Sequence, residues 1–487
     1  MNRSALLILV TVLFTLPIMA QRSYDVFSAR AGASAMRGAV AVDVDRGAVR
    51  SLVVQARPTV SVRVPMPDGA LASVVLREHG TSTGASRLTI MGPNGPEHRS
   101  LRSEVAVYRG VASGREVVLT FHRDGDVAGS ITGPDGRYVI SADRTQTNGN
   151  TCIVAPQPER AYTCGTEPED RSPHIDRLVR ETHRAMKVPD MVQNEDTITM
   201  ALAVEADHDL SRSFASSSAA TTYVTALIAA MSTTYERELG VKLAISNLRI
   251  WSTANDPYES EQSVFDLLDV FVQEYRNNMK DVDRDMAIFL TARGGQGGIA
   301  RTIGGLCEED GSYCAGDLNL RMREYPTWSW DVGMMSHAIG HVCGGIHTMS
   351  CYWPGGPLDS CVTSESGTCV GQDQTRPTRG TIMSYCHQQI ANGATMVLEF
   401  HPLHRSVMRA FIRSAACLGS APPDRTIRLS GRVLDGVTGE PKAGVPLTIR
   451  PVINDIYRQT PPVEGDTAIT SGADGSYAFT GLAVGLY

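Results

Sequence analysis

The chain has 487 residues, enough for about three domains at roughly 150 residues each. Hydrophobic residues make up 42% and charged residues 20%, which excludes a mainly disordered or collagen-like chain. The 45 Lys and Arg against 52 Asp and Glu give a net charge of −7, so no basic surplus speaks for nucleic acid or an anionic membrane surface.

Residues 1–20, MNRSALLILVTVLFTLPIMA, carry one Arg, an apolar run and a small residue at Ala20. That is the pattern of a secretory signal peptide, and the run is too short to span a bilayer. No later apolar stretch is longer, so a secreted, extracellular chain without a membrane span is expected. In an exported chain, the 10 cysteines read as disulfides rather than reactive thiols. Eight of them lie between Cys307 and Cys417, so one part of the fold is expected to be stapled.

Residues 21–150 alternate short apolar runs such as EVVLTFH and RYVISA with Gly-, Pro- and Asp-rich turns. They predict a β-rich unit, an antiparallel sandwich or barrel. Residues 151–195 are polar and irregular and read as a linker open to a processing protease. From residue 196 the pattern becomes α/β. TITMALAVEAD, VKLAISNLRIW and MAIFLTAR read as strands. Between them, Val224, Leu227, Ile228, Met231, Tyr235 and Leu239 share one helical face that ends at Gly240. Val264, Leu267, Leu268, Phe271, Val272 and Tyr275 mark a second helix. An α/β sheet domain is therefore expected over residues 196–420. Residues 426–487 return to β, and they end in mid-pattern.

Three of the 12 histidines fall within residues 337–347, HAIGHVCGGIH. His337 and His341 are spaced i, i+4 and so share one helical face. Gly344 and Gly345 allow a sharp helix exit that returns His347 to the same point. Three imidazoles so placed suit Zn²⁺ with one position left open.

With these residues the chain resembles the metzincin zinc metallopeptidases of reprolysin or ADAM type, whose signature is H-E-x-x-H-x-x-G-x-x-H. His337, His341, Gly344 and His347 match it, and GTIMSYCH places Met383 where the family has its Met-turn. The resemblance implies a multi-domain secreted hydrolase made as a zymogen. It would have a β-rich ADAM-like prodomain, a metzincin-like centre and a protein or peptide substrate. It also implies an apolar floor at Met383 and a place for Tyr385 near substrate or metal. Cys164, in YTCGT, matches the Cys-Gly element that silences ADAM-type zymogens by ligating zinc; a disulfide to Cys152 is the other reading. The tail at 426–487 resembles the carboxypeptidase regulatory-like β-sandwiches of secreted bacterial enzymes, incomplete here, which implies adhesion or spacing.

The chain departs from the signature at one position. Ala338 stands where the family has the Glu that takes and returns the proton. Asp331 and Glu324 are near in sequence but at the wrong offsets. The expectation is a peptidase framework with impaired hydrolysis. The alternative is a catalytically inactive pseudoprotease that acts as a binding or adhesion module.

Overall fold

The computed structural model describes residues 23–30, 40–133, 136–142, 151–156, 163–164, 197–258, 263–294, 297–320, 330–353, 356–359, 361–362, 379–392, 394–418, 426–435, 439–449 and 467–483. The expected signal peptide lies outside the described residues.

The N-terminal region forms a ten-stranded sheet with β1 (Ser23–Tyr24), β2 (Phe27–Ala29), β3 (Val40–Val44), β4 (Thr59–Pro65) and β5 (Leu71–Glu78). The hairpin β6 (Ser82–Gly92) and β7 (Gly95–Ser100) follows and leaves this sheet. The sheet resumes with β8 (Val105–Ala112), β9 (Arg115–His122), β10 (Val127–Gly133), β11 (Gly136–Ala142) and β12 (Thr151–Pro156). The order is β1-β4-β5-β8-β9-β10-β11-β12-β3-β2, antiparallel except for β1 on β4. Its two edge strands, β1 and β2, are nearly consecutive in the chain. The sheet therefore curls until its edges meet, as a barrel does. Helix α1 (Arg46–Gln55) starts at Asp45, whose side chain accepts the Ala48 N–H at 2.9 Å. It buries Val49, Leu52 and Val53 against Phe27, Val62, Leu119 and Phe121.

The α/β unit contains β14 (Ile198–Ala206), helix α2 (Ser217–Leu239), β15 (Val241–Trp251), helix α3 (Val264–Asn278) and β16 (Met286–Thr291). It continues with β17 (Gly297–Ala300), β18 (Tyr313–Asp317), helix α4 (Trp330–Val342) and helix α5 (Pro402–Ser414). Parallel strands β15, β14, β16 and β18 are buried on both faces, which is why they read as unbroken apolar runs. β17 runs antiparallel to β18. Helix α2 ends as its sequence predicts, with Gly240 at φ +68°.

Two boundaries differ from the sequence reading. The stretch taken as linker, 151–195, begins with β12, which pairs with β11 and β3. Its own residues Thr163–Cys164 form β13, paired in parallel with Gly297–Gly298. The β-rich unit is also not self-contained, because β6 pairs with β15 and β7 extends beyond it. The second sheet is thus eight-stranded, β13-β17-β18-β16-β14-β15-β6-β7. Sequence alternation marks a strand but carries no information about which sheet receives it.

The cysteines also divide. Cys307–Cys417 and Cys361–Cys386 are disulfides, and Cys351 is disulfide-bonded. Cys314 and Cys343 are buried free thiols, contrary to the expectation of disulfides throughout. Burial pushes the Cys343 thiol up to about 12, so it stays protonated and unreactive. Towards the C-terminus, β19 (Thr426–Arg432) pairs with β22 (Ser476–Ala483), and β20 (Pro446–Ile449) pairs with β21 (Thr467–Thr470). Leu447 and Ile469 pack with Tyr477 around Phe479.

Candidate metal centre

Helix α4 is buried along its whole length, with no solvated face. It lies close against the sheet because the strands beneath it carry glycine. A Cβ on Gly298 would meet the Met334 sulfur at 2.5 Å, and one on Gly316 would meet the Met335 sulfur at 2.2 Å. The helix ends in a Schellman turn. The Gly345 N–H donates to the Gly340 carbonyl and the Gly344 N–H to the His341 carbonyl, each at 2.8 Å, with Gly344 at φ +87°. That turn brings His347 back beside the helix.

The Nε2 atoms of the three histidines converge. His341 lies 3.0 Å from His337 and 3.1 Å from His347, and His347 lies 3.1 Å from His337. His337 Nδ1 faces the Ile382 carbonyl and His341 Nδ1 the Gly345 carbonyl, both at 2.8 Å. A carbonyl accepts only, so these nitrogens carry the protons and their Nε2 lone pairs point inward. Burial first, and the neighbouring imidazoles second, hold His337 well below the usual histidine range; burial lowers His347 to about 3. Neutral, inward-facing lone pairs repel one another unless a cation lies between them. Their spacing is close to the ~3.3 Å separation of two nitrogens bound tetrahedrally to zinc at about 2.0–2.1 Å. The donor set therefore fits a zinc ion.

The surroundings hold this geometry. Met383 is fully buried beneath α4, and a Cβ on Gly340 would meet its sulfur at 2.6 Å. Thr348 donates its N–H to the Met383 carbonyl at 3.0 Å, which ties the His347 segment to that turn. Tyr385 lies beside the cluster, its ring 6.0 Å from that of His337 and 4.7 Å from that of His347. Gly340→Ala is expected to destabilise the fold by about 1–3 kcal/mol through overpacking, despite alanine's better helix propensity. Thermal unfolding checks this. Adding Met383→Ala should recover part of the loss, and strictly additive effects would contradict the contact.

Ala338 is buried, 1% exposed, and presents only a methyl group. Asp331 belongs elsewhere: it accepts from the Tyr223 hydroxyl and from the Asn319 N–H at 2.9 Å. Trp330 is packed in the core. Glu324 and Trp328 lie outside the described residues, as do the side chains of Cys152 and Cys164; the Cys152 backbone lies in β12, opposite Val42. The Cys164 backbone, however, sits on β17, the strand that packs on α4.

Three residues near the centre carry no sequence signal. Trp353 donates its indole N–H to the His347 carbonyl at 2.7 Å. His404 packs edge-on against Trp353 and reaches the Ile346 carbonyl at 2.6 Å. Asp359 acts on His347 electrostatically and raises its pKa against the effect of burial. Trp353 and Asp359 follow His347 closely in the chain, while His404 comes from helix α5, and only the fold brings it here. Asp359 also lies near Cys361 and Cys386, but those sulfurs are bonded to each other and form no metal site.

Residues 196–397 match the family model Reprolysin_5, Metallo-peptidase family M12. No curated protein matches the chain. Among solved structures, metalloproteinase-II from Bacteroides fragilis is similar at 11% identity, covering 59% of this chain and 81% of its own, with a TM-score of 0.28. A chain in the structure of a chaperone–substrate complex shares 16% identity over 32% of this chain and 25% of its own, with a TM-score of 0.24. The family match and the histidine triad support a zinc-metallopeptidase scaffold over residues 196–397.

Proposed function

We propose that the chain is a secreted metzincin-type zinc endopeptidase scaffold of the reprolysin-like class, made as a zymogen, whose hydrolytic step is impaired by Ala338. The convergence of three neutral Nε2 atoms within 3.1 Å carries this reading. His337, His341 and His347 would hold the ion, and Met383 would support them from below. A zinc ion there would supply Lewis acidity towards a peptide carbonyl. Tyr385 borders the open side, where a protein or peptide substrate would lie. A proton acceptor is missing at the position after His337, and that step is typically worth about 10²–10⁴ in rate.

The second reading is a pseudoprotease that holds a peptide or partner without cutting it. Ala338 favours it, since a buried methyl can neither take nor give a proton. Elemental analysis of the purified full chain tests what both readings share. About one zinc per chain is expected, and none in His341→Ala with an unchanged circular dichroism spectrum. A parent chain without zinc overturns both. Chelator-sensitive cleavage of an unfolded protein by the parent then excludes the second reading.

A further inference from the structure

Between them, the two units bury a surface that neither can leave uncovered cheaply. Strand β6 lies on the edge of β15, pairing Asn247 through Trp251 with Arg87 through Met91 in unbroken parallel register. The Ile245 N–H donates to the Thr81 carbonyl at 2.8 Å and the Ser252 N–H to the Met91 carbonyl at 3.1 Å, which extends the ladder at both ends. Without β6, the largely buried strand β15 would present a row of unpaired backbone groups.

Helix α2 supplies the second contact. Its large residues face the peptidase sheet, while Ser218, Thr222, Thr225, Ala229, Thr233 and Glu236 form a stripe on another side. Both ends of that stripe reach the N-terminal sheet. The Ser218 hydroxyl donates to Asp126 at 2.7 Å, and Glu236 accepts from Arg109 at 3.1 Å. Thr222, Thr225 and Thr233 are buried, yet each hydroxyl donates to the carbonyl four residues earlier. Their polar groups are thereby satisfied inside the helix, and what faces outward is small and methyl-bearing. Such a stripe suits close packing against a sheet and gains nothing from solvent. Strand β9 mirrors it. Val117, Leu119 and Phe121 fill the N-terminal core, while Val118 on the opposite face joins the peptidase core with Leu88, Leu101, Val105 and Val107.

We propose that the β15 edge and the small-residue face of α2 are a permanent docking surface for the N-terminal unit, so that cutting the chain between β13 and β14 yields a two-chain complex and not a free peptidase. The occupant is this chain's own segment 23–156, held by an added strand and a shared core. The proposal does not depend on the metal, because no ligand of the histidine centre takes part.

The test uses the full chain with a recognition sequence for a specific protease inserted between residues 175 and 190. After complete cutting at neutral pH, both fragments are expected to co-elute at the size of the intact chain, and to separate only in denaturant. Leu88→Ala, which empties a shared-core position, should weaken the cut complex about 30-fold or more. Arg109→Ala, at the half-exposed ion pair, should weaken it a few-fold in low salt. Val75→Ala, at an exposed position on the N-terminal sheet, should leave it unchanged. Two fragments eluting apart at micromolar concentration overturn the proposal. So does precipitation of the peptidase fragment alone while the N-terminal fragment stays in solution.

Discussion

Ala338→Glu is expected to raise chelator-sensitive peptide hydrolysis about 10²–10⁴-fold over the parent chain, measured as a rate ratio after identical processing. The expectation rests on the site being complete in every other respect. His337 and His341 are oriented by carbonyls at 2.8 Å, Met383 is seated under Gly340, and the Schellman turn returns His347. Position 338 follows directly on His337 in a buried helix. A carboxylate there would stand next to the histidine cluster and could take and return a proton. Burying it costs stability unless it finds a donor. Zinc content is therefore measured on both chains, so that loss of fold is not mistaken for absence of chemistry. A variant that binds zinc stoichiometrically and remains as inert as the parent would show that the cleft has diverged beyond one residue.

The histidine cluster is legible in the sequence because its signal is local. Two histidines at helical spacing, a glycine pair and a third histidine occupy 11 residues, and the turn chemistry of Gly344 can be read directly. Met383 was legible only through family resemblance, since an isolated Met usually signals packing. Trp353, Asp359 and His404 were not legible, because nothing local sets them apart. Three strands of the α/β unit are legible nearly to the residue, β15 spanning Val241–Trp251 as its apolar run suggests, whereas the short, glycine-bearing β17 and β18 carry too little apolar pattern to mark them. The partition of strands between sheets was missed. The hairpin β6–β7 has the same alternation whether it pairs with β5 or β15, and the choice is made by long-range packing at Leu88.

Acidification is expected to loosen the cut two-chain complex about tenfold per pH unit between pH 6.5 and roughly pH 4.5, the response of one buried histidine. The group is His79, which is 5% exposed and lies between the N-terminal sheet and α2. Burial, then Arg109 and Lys242, push it down to about 3. The Glu236 carboxylate is 3.7 Å away but already engaged by Arg109, and the Ala229 backbone only partly offsets the shift. The folded, docked state thus binds fewer protons than the separated or unfolded one, whose histidine titrates near 6.5. The stabilisation is complete above pH 6.5 and is lost as pH falls towards 3. Asp207, raised by burial to about 6, contributes in the opposite direction, since its proton is favoured in the folded state. It lies away from the docking surface, but His122, also lowered by burial and on the same face of β9 as Val118, titrates in the same direction, so the His79 variant is what assigns the share of His79. His79→Gln should reduce the pH slope over this window, the remainder belonging to His122. Equal slopes for parent and variant would contradict the assignment.

The two residues of β13 make a ladder too short to hold by contact area. They follow β12 by only six residues, however, and β12 is fixed in the N-terminal sheet. A tether of that length keeps a segment at an effective concentration on the order of millimolar. Any extended peptide that adds to the outer edge of β17 competes with this resident strand. Competition then depends on connectivity more than on sequence. A cut after residue 164 leaves β13 attached to the docked N-terminal unit, and the local concentration at β17 is unchanged. Only undocking of the unit dilutes the competitor, so occupancy of the β17 edge becomes a reading of how firmly the distant β15 edge is held.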